Sequence, residues 1–86
     1  MQTSSRKITV TLHARQNVTL LPRILQIFSR RRGVVLEVRT RNLAAGEVEL
    51  GIVLDIDPVW HAQLSALLEK LVDVHSAKVQ EQVSHG

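Results

Sequence analysis

The feature that most constrains this chain is a change of hydrophobic period that occurs twice, in the same order. Residues 7–14, KITVTLHA, alternate strictly: Ile8, Val10, Leu12 and Ala14 fall on one side, Lys7, Thr9, Thr11 and His13 on the other. That is the pattern of a strand buried on one face. After a loop, RQNVT, the period lengthens. In LLPRILQIF, Leu21, Ile24, Leu25 and Phe28 stand at i, i+3, i+4 and i+7, the single stripe of an amphipathic helix. Asn17 or Thr19 is expected to cap it. With Thr19 as cap, Pro22 falls in the first turn, where its missing amide costs nothing. Arg30, Arg31 and Arg32 then occupy the last turn, where cations meet the negative end of the helix dipole. Gly33 is the expected C′ residue.

The cycle repeats. VVLEVRTR is expected as a strand with Val34, Leu36, Val38 and Thr40 toward the core and Val35, Glu37, Arg39 and Arg41 away from it. NLAAG reads as a turn, and EVELGIVLDI as a third strand with Val48, Leu50, Ile52, Leu54 and Ile56 in phase. Asp57-Pro58 starts a second helix, with Asp57 as cap and Pro58 at the first helical position. Trp60, Leu64, Leu67, Leu68 and Leu71 give its stripe, and HSAKVQEQV is the last strand, carrying Ala77, Val79 and Val83. The order β-α-β-β-α-β predicts an α+β, ferredoxin-like fold: a four-stranded antiparallel sheet with both helices on one face. Residues 1–86 are expected to form one domain with its core in about 7–83. The bare sheet face, with Val35, Gly51 and Val53, and the sheet edges are expected to invite another subunit.

Charge is strongly polarised along the chain. Residues 1–43 hold nine cations against Glu37, a net +8, while residues 44–86 hold Lys70 and Lys78 against seven acids, a net −5. Two halves of one fold, or two copies in a dimer, can neutralise each other in this way. With no cysteine there is no disulfide, thiolate nucleophile or thiolate metal site. The start, MQTSSRK, lacks the apolar stretch of a signal peptide, and no uncharged apolar run approaches membrane-spanning length. A cytoplasmic protein is expected.

Enzymatic chemistry finds little support. His13, His61, His75 and His85 show no short ligand-like spacing, Asp55 and Asp57 read as a surface acid and a cap, and the four glycines form no phosphate loop. No metal site is expected. Nucleic acid is the stronger rival, because the RNA-recognition motif shares this topology and the arginines could contact phosphates. That module stacks bases on aromatics of its central strands. Here the only aromatics, Phe28 and Trp60, sit in the helix stripes.

Two stretches resemble a known family. LPRILQIFSRRRG and, more sharply, residues 64–79, LSALLEKLVDVHSAKV, are similar to the ACT domain, and within it to the small subunit of acetolactate (acetohydroxyacid) synthase of the isozyme II type. The resemblance implies a non-catalytic accessory subunit that forms a homodimer through its sheets and activates a large subunit. That partner joins two 2-keto acids on the route to branched-chain amino acids. Thiamine diphosphate, Mg²⁺ and FAD would belong to it, with no cofactor in this chain. Arg30, Arg31, Arg32 and Arg39 are the candidate partner-binding groups. Many relatives bind an effector amino acid at the loop between strand one and helix one, which maps here onto Asn17, Val18, Thr19 and Leu20. Thr19 stands where such sites carry glycine, which argues against an effector and agrees with a subunit type lacking valine feedback. A free-standing amino-acid-binding ACT module and an RNA-binding domain are the alternative readings.

Overall fold

The structure is a computed structural model and describes residues 6–81. Its elements are β1 (Arg6–Arg15), α1 (Leu20–Arg30), β2 (Val34–Asn42), β3 (Glu47–Ile56), α2 (His61–Glu69) and β4 (Val74–Glu81). The sheet order is β2-β3-β1-β4, and every neighbouring pair is antiparallel. This is the ferredoxin-like βαββαβ arrangement that the two period changes predict. The expected last-strand residue Val83 lies outside the described residues.

The core forms where the alternation is strictest. Ile8, Val10, Leu12 and Ala14 of β1 and Val48, Leu50, Ile52, Leu54 and Ile56 of β3 are all buried. Leu20, Ile24 and Phe28 of α1 and Leu64 and Leu68 of α2 close over them. The helical stripes are therefore rotated slightly from the sequence expectation. Leu21 and Leu25 are half-buried at the margin, as are Trp60, Leu67 and Leu71. Asp57 caps as expected, accepting from the Val59 amide at 3.0 Å, although it leads into a 3₁₀ turn, Pro58–Trp60, before α2 begins.

Strand β2 departs from its expected phase. The register runs Val34↔Asp55 and Val35↔Leu54, then skips Leu36 and resumes at Glu37↔Val53 and Val38↔Ile52. One extra residue in the strand is a β-bulge, and it exchanges the faces of everything before it. Val35, expected on the open face, packs against the core, while Val34, expected inside, is 58% exposed. Leu36 and Val38, also expected inside, are half and about one-third exposed on β2, the edge strand of the sheet.

The end of α1 corrects a second expectation. The residue with positive φ is Arg32, at 59°, not Gly33. The Gly33 amide reaches back to the Phe28 carbonyl at 2.9 Å and the Arg32 amide to Ser29 at 3.0 Å. This is a Schellman motif with arginine in the left-handed position and glycine one place beyond. Gly33 serves space instead: a Cβ there would stand 3.1 Å from the Phe28 carbonyl oxygen, 3.2 Å from Leu54 Cδ1 and 3.3 Å from Ile56 Cδ1. Arg32→Gly should therefore hold or raise stability by up to about 1 kcal/mol, by relieving a left-handed side-chain clash. Gly33→Ala and Gly33→Asn should each lose about 1–3 kcal/mol through overpacking. Urea unfolding distinguishes the two roles, since a well-tolerated asparagine at 33 would mean that the glycine serves conformation.

Candidate functional site

The loop between β1 and α1 is tied down by its own side chains. Asn17 Oδ1 accepts from the Thr19 amide and from the Thr19 hydroxyl, both at 2.9 Å, and its Nδ2 donates to Asp73 Oδ2 at 3.1 Å. The Leu20 amide donates to the Asn17 carbonyl at 3.0 Å. Asn17 thus fixes the entry to α1, whereas Thr19, at the N-cap, makes no side-chain capping bond. Sequence spacing missed Asp73, which belongs to the turn after α2. The signal was its place in the KLVDV run, but nothing in one strand-helix pattern tells which distant loop an acid will meet. Beside this loop lies a cleft of about 140 Å³ lined by Gln16, Asn17, Leu20, Leu21, Val48 and Leu50, with Thr40 of β2 at its rim. The cleft suits a small aliphatic group and falls below the 300–1,000 Å³ typical of drug-sized ligands. Of the four expected effector residues, Asn17 and Leu20 line it; Val18 is 92% exposed.

The four candidate arginines do not converge. Arg30 and Arg32 are exposed at the C-terminal end of α1. Arg31 folds back: its Nη1 donates to the Ile27 carbonyl at 2.9 Å, and its guanidinium carbon lies 5.3 Å from the centre of the Trp60 ring. Such stacking is worth about 0.5–1 kcal/mol at a partly exposed site. Arg39 stands on the open sheet face, paired with Glu37.

That open face is a mosaic of matched charges. Arg41 Nη2 lies 3.0 Å from Glu49 Oε1, and His13 Nε2 lies 2.9 Å from Glu49 Oε2. The hydrogen bond from His13, with Arg41 beside it, holds the Glu49 carboxyl below its ordinary value. His75 pairs with Glu47 at 2.7 Å, and His61 with Glu81 at 2.8 Å. Each of these histidines meets one carboxylate, and among the described residues no group of three or more His, Cys, Asp or Glu is placed to hold a metal ion. Gly51 leaves a trough of about 470 Å³ flanked by Thr11, Arg39, Arg41 and Glu49. Among the described residues no Phe, Tyr or Trp projects from this face, since Phe28 is fully buried and Trp60 lies under Arg31. Among the described residues no helix is long and apolar enough to cross a membrane.

The two sheet edges differ. On β4 the Ala77 amide is covered by the chain's own Glu69, whose Oε2 accepts from it at 3.0 Å. On β2 no side chain among the described residues is seen to accept from an edge amide in this way, and Val34, Leu36 and Val38 lie exposed along it, interleaved with Glu37 and followed by Arg39 and Arg41.

No protein family model matches the sequence, and no curated protein sequence matches it. Solved structures do match in fold. The C-terminal domain of the MgtC protein from Mycobacterium tuberculosis superposes with a TM-score of 0.77 at 16% identity, over 95% of this chain and 93% of that one. The ACT domain of GTP pyrophosphokinase from Chlorobium tepidum gives 0.70 at 10% identity, over 87% and 97%. A homoserine dehydrogenase from Thiobacillus denitrificans gives 0.74 at 13% identity, over 90% of this chain and 17% of that one. The chain therefore has an ACT-domain-like ferredoxin fold.

Proposed function

We propose that this chain is a non-catalytic accessory subunit that pairs with a second copy along β2 and activates the large subunit of acetolactate synthase. The observation that carries the reading is the apolar stretch of the β2 edge, with Leu36 and Val38 half to two-thirds covered and Val34 more open still. An edge strand that leaves apolar side chains exposed is a template for pairing. The blunting of β4 by Glu69 makes the contrast within one sheet. The likeness of residues 64–79 to acetolactate synthase small subunits supplies the identity of the partner. Thiamine diphosphate, Mg²⁺ and FAD belong to the partner in this reading. Activation acts by protein contact, which favours a competent arrangement of the partner's site.

A second reading, an amino-acid-responsive module, is favoured by the aliphatic cleft beside Asn17. One experiment addresses both. Purified chain mixed with the large subunit is expected to co-elute with it and to accelerate acetolactate formation. No complex and no change in rate would rule the accessory role out. Adding valine, leucine or isoleucine to the same assay reads the cleft, because an occupied effector site changes the stimulated rate.

A further inference from the structure

We infer that two copies of the chain join β2 to β2 with the twofold axis at Val38, so that Glu37 of each copy faces Arg39 of the other. The inference rests on the pairing in the accessory-subunit reading and adds its register. In a side-by-side pair the axis stands perpendicular to the sheet, the strands run antiparallel, and directly opposed residues share a face. The axis must therefore pass at a residue, and the order of side chains along the strand decides which one. On β2 the run Leu36-Glu37-Val38-Arg39-Thr40 is exposed throughout. Glu37 and Arg39 already pair along the strand in the single chain. Reversed about Val38, an acid meets a cation on both sides and valine meets valine. Opposed Cβ atoms lie about 4.5–5.5 Å apart, closer than the roughly 6.5 Å between i and i+2 of one strand. Each carboxylate thus gains a nearer cation and keeps its own within reach.

The neighbouring registers fail. An axis at Leu36 falls on the bulge, where the ladder is broken. An axis at Glu37 sets that carboxylate against its own copy. An axis at Arg39 does the same to the guanidinium, and its Glu37 meets an Arg41 that Glu49 already holds at 3.0 Å. An axis at Thr40 opposes Arg39 to Arg41 of the other copy, twice. Like charges directly opposite destabilise a pair of strands. Order, not net charge, is what selects a second copy. Glu37 cancels Arg39 and Glu49 cancels Arg41, so a uniformly acidic or basic partner gains nothing from this strip. The bulge sets the length of the contact. From Glu37↔Val53 to Asn42↔Val48 the pairing of β2 with β3 runs without interruption, whereas Leu36 is skipped. The ladder between copies therefore spans residues 36–40, with Leu36 brought beside Thr40 of the other copy and Val34 and Val35 left beyond it.

The chain has no cysteine, so single cysteines read the register directly. Under oxidised glutathione, Val38→Cys is expected to give a covalent dimer on a non-reducing gel, because opposed Cα atoms lie about 4.5–5.5 Å apart, within the span of a disulfide. Glu37→Cys and Arg39→Cys, each about 7–8 Å from its own copy on the diagonal, should not cross-link alone but should do so when mixed. Sedimentation equilibrium of the full chain at low salt gives a second readout. Glu37→Arg and Arg39→Glu are each expected to weaken self-association about tenfold or more, since two opposed pairs turn repulsive. The double reversal Glu37→Arg/Arg39→Glu should restore the wild-type constant, and so should an equimolar mixture of the two single variants. If wild type dimerises but Arg39→Cys cross-links alone and Val38→Cys does not, or if the double reversal stays as weak as the single ones, this register is overturned while pairing along β2 stands. If every charge variant associates as wild type does, these side chains do not meet across the axis and the inference is wrong. If wild type is itself a monomer, the proposed pairing falls and this inference with it.

Discussion

Replacing Phe28 by alanine is expected to lower the melting temperature by tens of degrees. Phe28 is the largest of the fully buried side chains, and its carbonyl accepts from both the Arg31 amide at 3.0 Å and the Gly33 amide at 2.9 Å. One residue therefore fills the core beneath α1 and closes the helix end above it. Large-to-small changes of a buried aromatic cost about 3–5 kcal/mol, the lost transfer energy plus the cavity left behind. At about 0.05–0.15 kcal/mol per residue, a chain of this length has about 4–13 kcal/mol in total. The loss is thus about a quarter of the stability at best and all of it at worst. With about 4–8 °C per kcal/mol for a domain this small, the midpoint should fall by about 12–40 °C. Trp60, the other aromatic, provides the comparison. It is half-buried and covered by Arg31, so Trp60→Ala should cost clearly less. Thermal melts by circular dichroism read both. Equal losses would mean that Trp60 fills the core as fully as Phe28 does.

That contrast also marks how far sequence could go. Element order, helix placement and the faces of β1 and β3 were legible, because strict alternation leaves one way to bury five in-phase aliphatic residues. The phase of β2 was not. VVLEV alternates poorly, so its two possible faces differ little in burial, and the bulge at Leu36 is decided by pairing with β3. Gly33 was read as the left-handed residue because glycine usually holds that position. Here Arg32 takes it, and the glycine stands at the next position, where the Phe28 carbonyl, Leu54 and Ile56 leave a Cβ only tight contacts of 3.1–3.3 Å. Both differences come from neighbours distant in sequence.

The site was legible in a different way. Asn17 is chemically able to hold a ligand, and spacing placed it in the loop between β1 and α1. Spacing could not reveal that Thr19 and Asp73 already engage its amide. Likewise Arg30, Arg31, Arg32 and Arg39 look like one basic group along the chain. A helix end and a sheet face separate them, and Ile27, Trp60 and Glu37 engage two of the four. Free polar groups are a property of the folded surface, and subtraction by internal partners is what a linear reading lacks.

Leu36→Lys with Val38→Lys is expected to convert the proposed β2-paired dimer to a monomer. Both side chains lie along β2, half and about one-third exposed in the single chain. Covering the remainder is worth roughly half of the about 1.5–3 kcal/mol gained on full burial of such a side chain. In a twofold assembly each substitution acts twice, so two substitutions remove four such contributions, about 3–6 kcal/mol in all. That is about two to four decades in the dissociation constant. Lysine adds like-charge repulsion across the axis and is the residue by which natural edges are kept apart. Because neither side chain is buried in the single chain, the monomer should keep its fold, and the circular dichroism spectrum checks that it does. Sedimentation equilibrium reads the mass. A variant that still sediments as a dimer would place self-association elsewhere and remove the observation on which the accessory reading rests. If the variant is monomeric yet still binds the large subunit, pairing and docking are separate functions of one small fold. The Glu69 carboxylate on the Ala77 amide gives the converse control. Glu69→Ala uncovers the β4 edge, and any higher-order association it produces, absent in wild type, would show that this carboxylate confines pairing to β2.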